Sequence, residues 1–232
     1  MSGAGSRPAA SLVTQTSGQF WLVKPDCCNV TRLLAPAAML NDRSTPLSLL
    51  RTRRSGRPRD LVAPGPDADQ LRQMLEIAMR VPDHGKLAPW RFVHVPREER
   101  PAFAELLHAA FRIANPEPSR AEIEAVERFA HQAPSLVVIL SSPVEGTKIP
   151  VWEQELSCGA ACMNLLHAAH AMGFAAGWVT GWATYSAEVN RAFAKEKERI
   201  AGFVFIGTPA NPLEERPRPA FDYVVSEWSP RR

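Results

Sequence analysis

At 232 residues, 45% of them hydrophobic and 22% charged, the chain is long enough for one good-sized core and too short for two comfortable domains. The formal charge of +3 comes from arginines scattered among acids, so there is no unbroken basic stripe to follow a nucleic-acid backbone, and a nucleic-acid partner is not expected. No apolar run reaches the length of a membrane-spanning helix, and no membrane partner is expected.

Residues 1 to 43 are rich in Ser, Ala, Thr and Pro and show no sustained apolar period, nor a hydrophobic run behind a basic start. They read as a disordered extension, or as a misread start ahead of Met39. A transit peptide is the rival, because Asp26 is the only acid before Asp42. Cys27 and Cys28 fall here, whereas Cys158 and Cys162 stand four apart in an apolar segment as small hydrophobes; a reducing cytoplasm is expected.

Order is expected from residue 44. In STPLSLLRTRRS, Thr45 can cap, Pro46 suits the first helical position and Leu47 and Leu50 share a face, so a short helix delivers Arg53, Arg54 and Ser55 to its exit. The next helix opens on the capping box Asp67 and Gln70 and buries Leu71, Met74, Leu75 and Ala78. It runs into RVPDHGKLAPWRF, residues 80 to 92, where Asp83 and His84 sit in a polar loop between Pro82 and Pro89. Asp83 reads either as a turn-former bonding its own backbone or as an acid beside an imidazole.

Strand WRFVHV, residues 90 to 95, leads to a helix with Phe103, Leu106, Leu107, Ala110 and Phe111 at helical spacing. A second capping box, Ser119 with Glu122, opens a helix running through Gln132, and after Pro134 the apolar run LVVIL, residues 136 to 140, predicts a strand covered on both faces. Residues 152 to 173 are apolar nearly all round and predict a central buried helix stopped by Gly173. Strand 174 to 180, helix SAEVNRAFAKEK capped by Ser186, and strand 200 to 207 follow. The tail is too apolar at Phe221, Tyr223, Val224 and Val225 to be mere linker. The class is α+β: one domain over residues 44 to 232, with four or five strands wrapped by helices.

Neither a GxSxG elbow nor a Walker phosphate loop is present. Asp83, His84, Glu153 and Glu155 could be assembled into a metal-dependent hydrolase, but the histidines lack paired ligand spacing. The two glutamates open a helix, where the dipole alone favours them, and no metal is expected. His167 and His170 beside Cys162 read as interior histidines. Arg53, Arg54 and Ser55 could hold a phosphate monoester by paired, charge-assisted hydrogen bonds, with Arg216 and Arg218 adding charge; the plain alternative is a solvated basic face.

Taken together, RRS at 53 to 55, RVPDHGKLAPWRF, WEQELSCGAAC, GFAAGWVTG and FIGTP at 205 to 209 resemble the FMN-dependent NAD(P)H nitroreductase family in its compact bacterial branch, over residues 45 to 228. The resemblance implies a small mixed sheet wrapped by helices around a long buried central helix. It also implies an intertwined homodimer with flavin at the interface, NADH or NADPH as donor, and a nitro, quinone or other activated small-molecule acceptor reduced in a ping-pong sequence. Flavin N5 would carry the chemistry, which needs no catalytic side chain. By the same resemblance Arg53, Arg54 and Ser55 hold the FMN phosphate and ribityl chain, and Arg80 and His84 contact the flavin bound mainly by the opposite subunit. Trp178, Val179 and Thr180 pass along the isoalloxazine, while Ala168, Ala169, His170, Ala171, Met172 and Gly173 contact the nicotinamide nucleotide. Val179 departs from the branch, which often has Arg there. A flavin- or nucleotide-binding protein without turnover is the rival reading.

Overall fold

Five strands form among the described residues: β1 (Leu61–Val62), β2 (Trp90–Val95), β3 (Ser135–Ser141), β4 (Ala175–Val179) and β5 (Arg199–Pro209), with β2, β3 and β5 rich in the β-branched and aromatic residues that strands favour. They are seen in a computed structural model that describes residues 39 to 230. Residues 1 to 38, with Cys27 and Cys28 and most of the expected extension, lie outside the described residues. The described residues up to Arg216 belong to one compact unit, and those from Pro217 onward to a second. Of that second unit, residues 217 to 230 are described; they hold the short helix Phe221–Val224, whose Phe221, Tyr223 and Val224 are exposed.

β5 is the central strand. It pairs with β3 along one edge and with β4 and then β1 along the other, and β2 closes the sheet beyond β3. Every pairing is antiparallel, which corrects the expectation of a mixed sheet. The reason lies in the connections. Between β2 and β3 the chain runs through two helices, α3 (Arg100–Ala114) and α4 (Arg120–His131), which pack on each other and return it to the end it left. A single helix, α5 (Val151–Ala171), links β3 to β4, so these two run parallel; but β5 inserts between them and no parallel ladder forms.

Each face of the sheet has its own core. On one, Phe103, Leu107 and Val126 of α3 and α4 meet Phe203 and Phe205. On the other, α5 and α2 (Ala68–Ala78) cover Val137, Ile139, Val204 and Ile206 with Met74, Cys158, Cys162 and Leu165. β3, apolar from Leu136 to Leu140 between two serines, is buried along its whole length, as a strand covered on both faces must be. At its N-terminal end α5 leaves Val151, Trp152 and Leu156 exposed.

The caps form as the sequence predicts. Thr45 Oγ1 accepts from Ser48 N at 3.0 Å to open α1 (Pro46–Thr52), and both capping boxes are present. Leu47 and Leu50 do share a face of α1, but it is exposed; the buried residue is Leu49, turned towards α5. Ser186 caps α7 (Ala187–Phe193), which stops before the expected lysines, and α6 (Trp182–Tyr185) lies just ahead of it. No described helix is long and apolar enough to cross a membrane.

Candidate functional site

The exit of α1 is laid onto the start of β4. Gly56 N donates to Ala176 O at 3.0 Å, and a Cβ on Gly177 would stand 2.5 Å from Gly56 O, so two glycines let the Arg53 to Arg57 loop touch the strand directly. Within the loop, Arg53 Nη1 donates to Ser55 Oγ at 3.4 Å. Arg54 is a strut: its N–H donates to Asn41 Oδ1 at 2.8 Å, its guanidinium grips Glu215 with two prongs, and its carbonyl meets His170 Nε2 at 2.9 Å. Arg57 pairs with Glu214. Ser55, Arg57, Arg59 and Arg216 line a cavity of about 220 Å³ that Glu214 and Asp60 share.

Two histidines of α5 back this loop. Both ring nitrogens of buried His170 face carbonyls, Leu166 O at 2.6 Å and Arg54 O at 2.9 Å. Burial is the largest influence on its pKa and lowers it, so the neutral ring has one N–H and satisfies one carbonyl at a time. His167 Nδ1 is buried and has no hydrogen-bond partner among the described residues; burial first, and the Arg53 charge second, hold its pKa below the ordinary value.

Farther along β4 the outer edge is open. Residues of an antiparallel strand point their N–H and C=O together to alternate sides. Because Ala176 O is turned outwards to Gly56, the backbone groups of Trp178 also face away from β5. The Trp178 indole crosses the sheet and donates from Nε1 to Ala201 O at 3.2 Å. That acceptor is freed by a bulge: Ile139 opposes Gly202 and Leu140 opposes Ile200, which leaves Ala201 extra. Gly202 is the shelf on which the indole lies, since a Cβ there would come within 2.1 Å of Nε1. Val179 turns the other way, into the core formed by α3 and α4.

The loop between α2 and β2 is pinned to the opposite flank of the site. The Asp83 carboxylate accepts from Leu87 N at 3.0 Å and Ala88 N at 2.8 Å, the turn-forming role, and holds Lys86 and Ala88 at positive φ. Ser157 and Glu153 of α5 then fasten the loop, through Pro82 O at 2.5 Å and His84 Nδ1 at 2.9 Å. The carboxylate fixes the His84 proton on Nδ1 and leaves Nε2 outward. The Arg80 guanidinium is exposed and makes no hydrogen bond among the described residues. Neither Arg80 nor His84 lines the cavity of Ser55, or the one of Trp178 and Thr180. The four residues considered for a metal are engaged otherwise: Asp83 is spent on its loop, Glu153 and His84 on each other, and Glu155 on Arg199 at 2.6 Å. No cluster of three metal-ligating side chains occurs among the described residues. In the 168 to 173 segment, Ala168, Ala169 and His170 are buried, while Ala171 and Gly173 are exposed, with Arg43 against Gly173.

The Nitroreductase family profile matches residues 50 to 208. The chain belongs to the nitroreductase family. It is 37% identical over 164 residues to YdjA of Escherichia coli K12, which its name places among NAD(P)H nitroreductases; the match spans 70% of this chain and 87% of that one. A Haemophilus influenzae Rd protein of the same naming is 36% identical over 175 residues, spanning 74% and 92%. Among solved structures, a nitroreductase-like protein of Bacillus cereus superposes with a TM-score of 0.67 at 18% identity, over 81% of this chain and 97% of that one. The NADPH:FMN oxidoreductase of Vibrio harveyi, solved with NAD+, gives 0.62 at 16% identity over 81% and 78%.

For this family member, sequence reasoning left out two residues of the site. Arg57 stands two positions after Ser55, just past the segment that ends at Ser55, and that adjacency was the available signal. The orphaned nitrogen of His167 had none, because it depends on how α5 meets α1.

Proposed function

We propose that this nitroreductase-family protein is an FMN-dependent oxidoreductase that takes reducing equivalents from NADH or NADPH and passes them to a nitro, quinone or other activated acceptor in two separate half-reactions. One observation carries the reading: a basic loop meets β4 at Ala176, and an open backbone edge follows from Trp178 to Thr180, about 7 to 13 Å further along at the usual strand rise. The local chemistry fits a flavin nucleotide. An unpartnered buried nitrogen on His167 backs the basic loop, and unpaired backbone groups on Trp178 suit a heterocycle edge.

FMN, when bound, supplies the hydride and electron transfer that no side chain here provides. The chain's own part is to bind and orient. Arg53, Ser55 and Arg57 hold the phosphate and ribityl end; Arg54, spent on Glu215 and Asn41, braces the loop. Trp178 and Thr180 steer the ring with backbone groups, and the shelf at Gly202 keeps the indole from wandering. Arg80 and His84 reach the flavin of a second subunit in a homodimer, with Glu153 holding the imidazole in one tautomer. Exposed Val151, Trp152 and Leu156 on the same helix end favour that arrangement, because a monomer would leave them in water. Buried free thiols at Cys158 and Cys162 favour a reducing cytoplasm.

Steady oxidation of NADH or NADPH in the presence of menadione or a nitroaromatic tests this reading. A yellow protein that stays oxidised under excess of both donors would overturn it in favour of a flavin binder without turnover.

A further inference from the structure

His170 is wholly buried at the C-terminal end of α5, with Nδ1 at 2.6 Å from Leu166 O and Nε2 at 2.9 Å from Arg54 O. Both separations are hydrogen-bond lengths, and both partners are acceptors. A neutral imidazole has one N–H, so in either tautomer its other nitrogen turns a lone pair on a carbonyl oxygen. Only an imidazolium, a donor at both nitrogens, satisfies the two together. The fold therefore shapes a place for a doubly protonated ring that ties α5 to the basic loop.

The groups around the ring keep the second proton off. Burial opposes the charge foremost, and Arg53 of the loop and His167, one turn earlier on α5, oppose it as well. Arg43, ahead of α1, is a further cation and borders the same cavity of about 560 Å³ as the ring. Residues 209 to 213, which line that cavity too, carry no charge. The acids that follow them are engaged with the loop, Glu215 on Arg54 and Glu214 on Arg57. A phosphate monoester on Arg53, Ser55 and Arg57 changes this balance in two ways. It neutralises the Arg53 charge that repels the second proton, and it brings about 1.5 to 2 negative charges to the loop behind which the ring lies.

We propose that binding of the FMN phosphate draws one proton from solvent onto His170, and that the imidazolium so formed donates to Leu166 O and Arg54 O at once, fastening the Arg53 to Arg57 loop to α5. His170 is a positioning residue that acts through the Arg54 carbonyl. The inference rests on the flavin reading for the identity of the phosphate. Linkage fixes its sign. The free ring titrates below the ordinary 6.5 and the bound ring above it, so protons are taken up between the two, and FMN binds more tightly as pH falls through the upper one.

Calorimetric titration of flavin-stripped protein with FMN at pH 6.5, in buffers of different ionisation enthalpy, counts the protons exchanged. Wild type should take up about half a proton or more per FMN beyond His170→Gln; the phosphate's own ionisation is common to both and cancels. The glutamine can donate to the Arg54 carbonyl but cannot titrate. It should bind FMN about tenfold more weakly than wild type at pH 6 and about equally at pH 8.5, whereas a merely structural tie would weaken binding alike at both. His167→Gln should leave the proton uptake in place. Nitrogen-15 spectra of the wild-type histidines need no variant: with FMN at pH 6.5, one histidine should show two slowly exchanging ring N–H groups where the flavin-free protein shows one. Equal proton counts in wild type and His170→Gln, an affinity gap that does not vary with pH, or histidine spectra unchanged by FMN would overturn the proposal and leave the flavin reading standing; failure of FMN to bind wild type would overturn both.

Discussion

Replacing Gly202 by Ala places a methyl group 2.1 Å from Trp178 Nε1 and 2.5 Å from Cδ1, where ordinary contact begins near 3.4 Å. The indole is rigid and must retreat by more than 1 Å, which breaks its 3.2 Å hydrogen bond to Ala201 O. Overpacking of this kind costs about 1–3 kcal/mol, and the lost hydrogen bond about 1 kcal/mol. Gly202 also has φ +157°, a conformation that an alanine adopts only with strain, which adds about 1 kcal/mol. The net expectation is a loss of about 4 kcal/mol. Urea unfolding followed by circular dichroism measures it, and a double-mutant cycle with Trp178→Ala isolates the cause. With the indole gone the methyl meets little but Val179 O, so the clash and hydrogen-bond part of the penalty, about 3 kcal/mol, should vanish in that background while the backbone strain remains. If Gly202→Ala destabilises the protein equally with and without Trp178, the shelf is not what the glycine is for.

Three further outcomes follow from the same geometry. Glu214→Gln removes a carboxylate that a phosphate must displace from Arg57; since the pair is largely exposed, FMN should bind about two- to fivefold more tightly at low salt, and the gain should fade at high salt. The Arg91 hydrogen bond, foremost, holds the Glu198 carboxyl down to about 2 from an ordinary 4.5. A pKa depressed on folding gives stability that is present above 4.5 and drains as pH falls towards 2, on the order of 3 kcal/mol at most. Glu198→Gln should therefore be less stable at pH 7 and show a flatter acid limb in urea melts at pH 3 to 7; an unchanged limb would place the acid sensitivity elsewhere. In turnover, NADH or NADPH should reduce the protein's chromophore and menadione should reoxidise it, seen by stopped-flow absorbance, whereas no reduction by either donor would contradict enzymatic function.

What was legible in the sequence was local. Thr45, Asp67 with Gln70, and Ser119 with Glu122 announce their helices because each satisfies backbone donors three residues away, and β2 begins and ends between Pro89 and Pro96 as the sequence says. What depends on distant segments was not. The antiparallel sheet follows from β5 inserting between β3 and β4, which no spacing along the chain reveals. The structural duty of Arg54 comes from Glu215, 161 residues away. β1 and α6, two and four residues long, are too short to show a period. In the site, Arg53, Ser55 and Trp178 could be named from the resemblance of their motifs. The use of Trp178 could not, because it rests on a bulge that frees the Ala201 carbonyl.

The measurement that bears most directly on the account compares FMN with riboflavin, by calorimetric titration of protein stripped of bound flavin. If Arg53, Ser55 and Arg57 hold a phosphate by charge-assisted hydrogen bonds, each worth about 1.5–3 kcal/mol, FMN should bind one per chain and riboflavin at least about a hundredfold more weakly. Equal affinity for the two, or no binding of either, would contradict it.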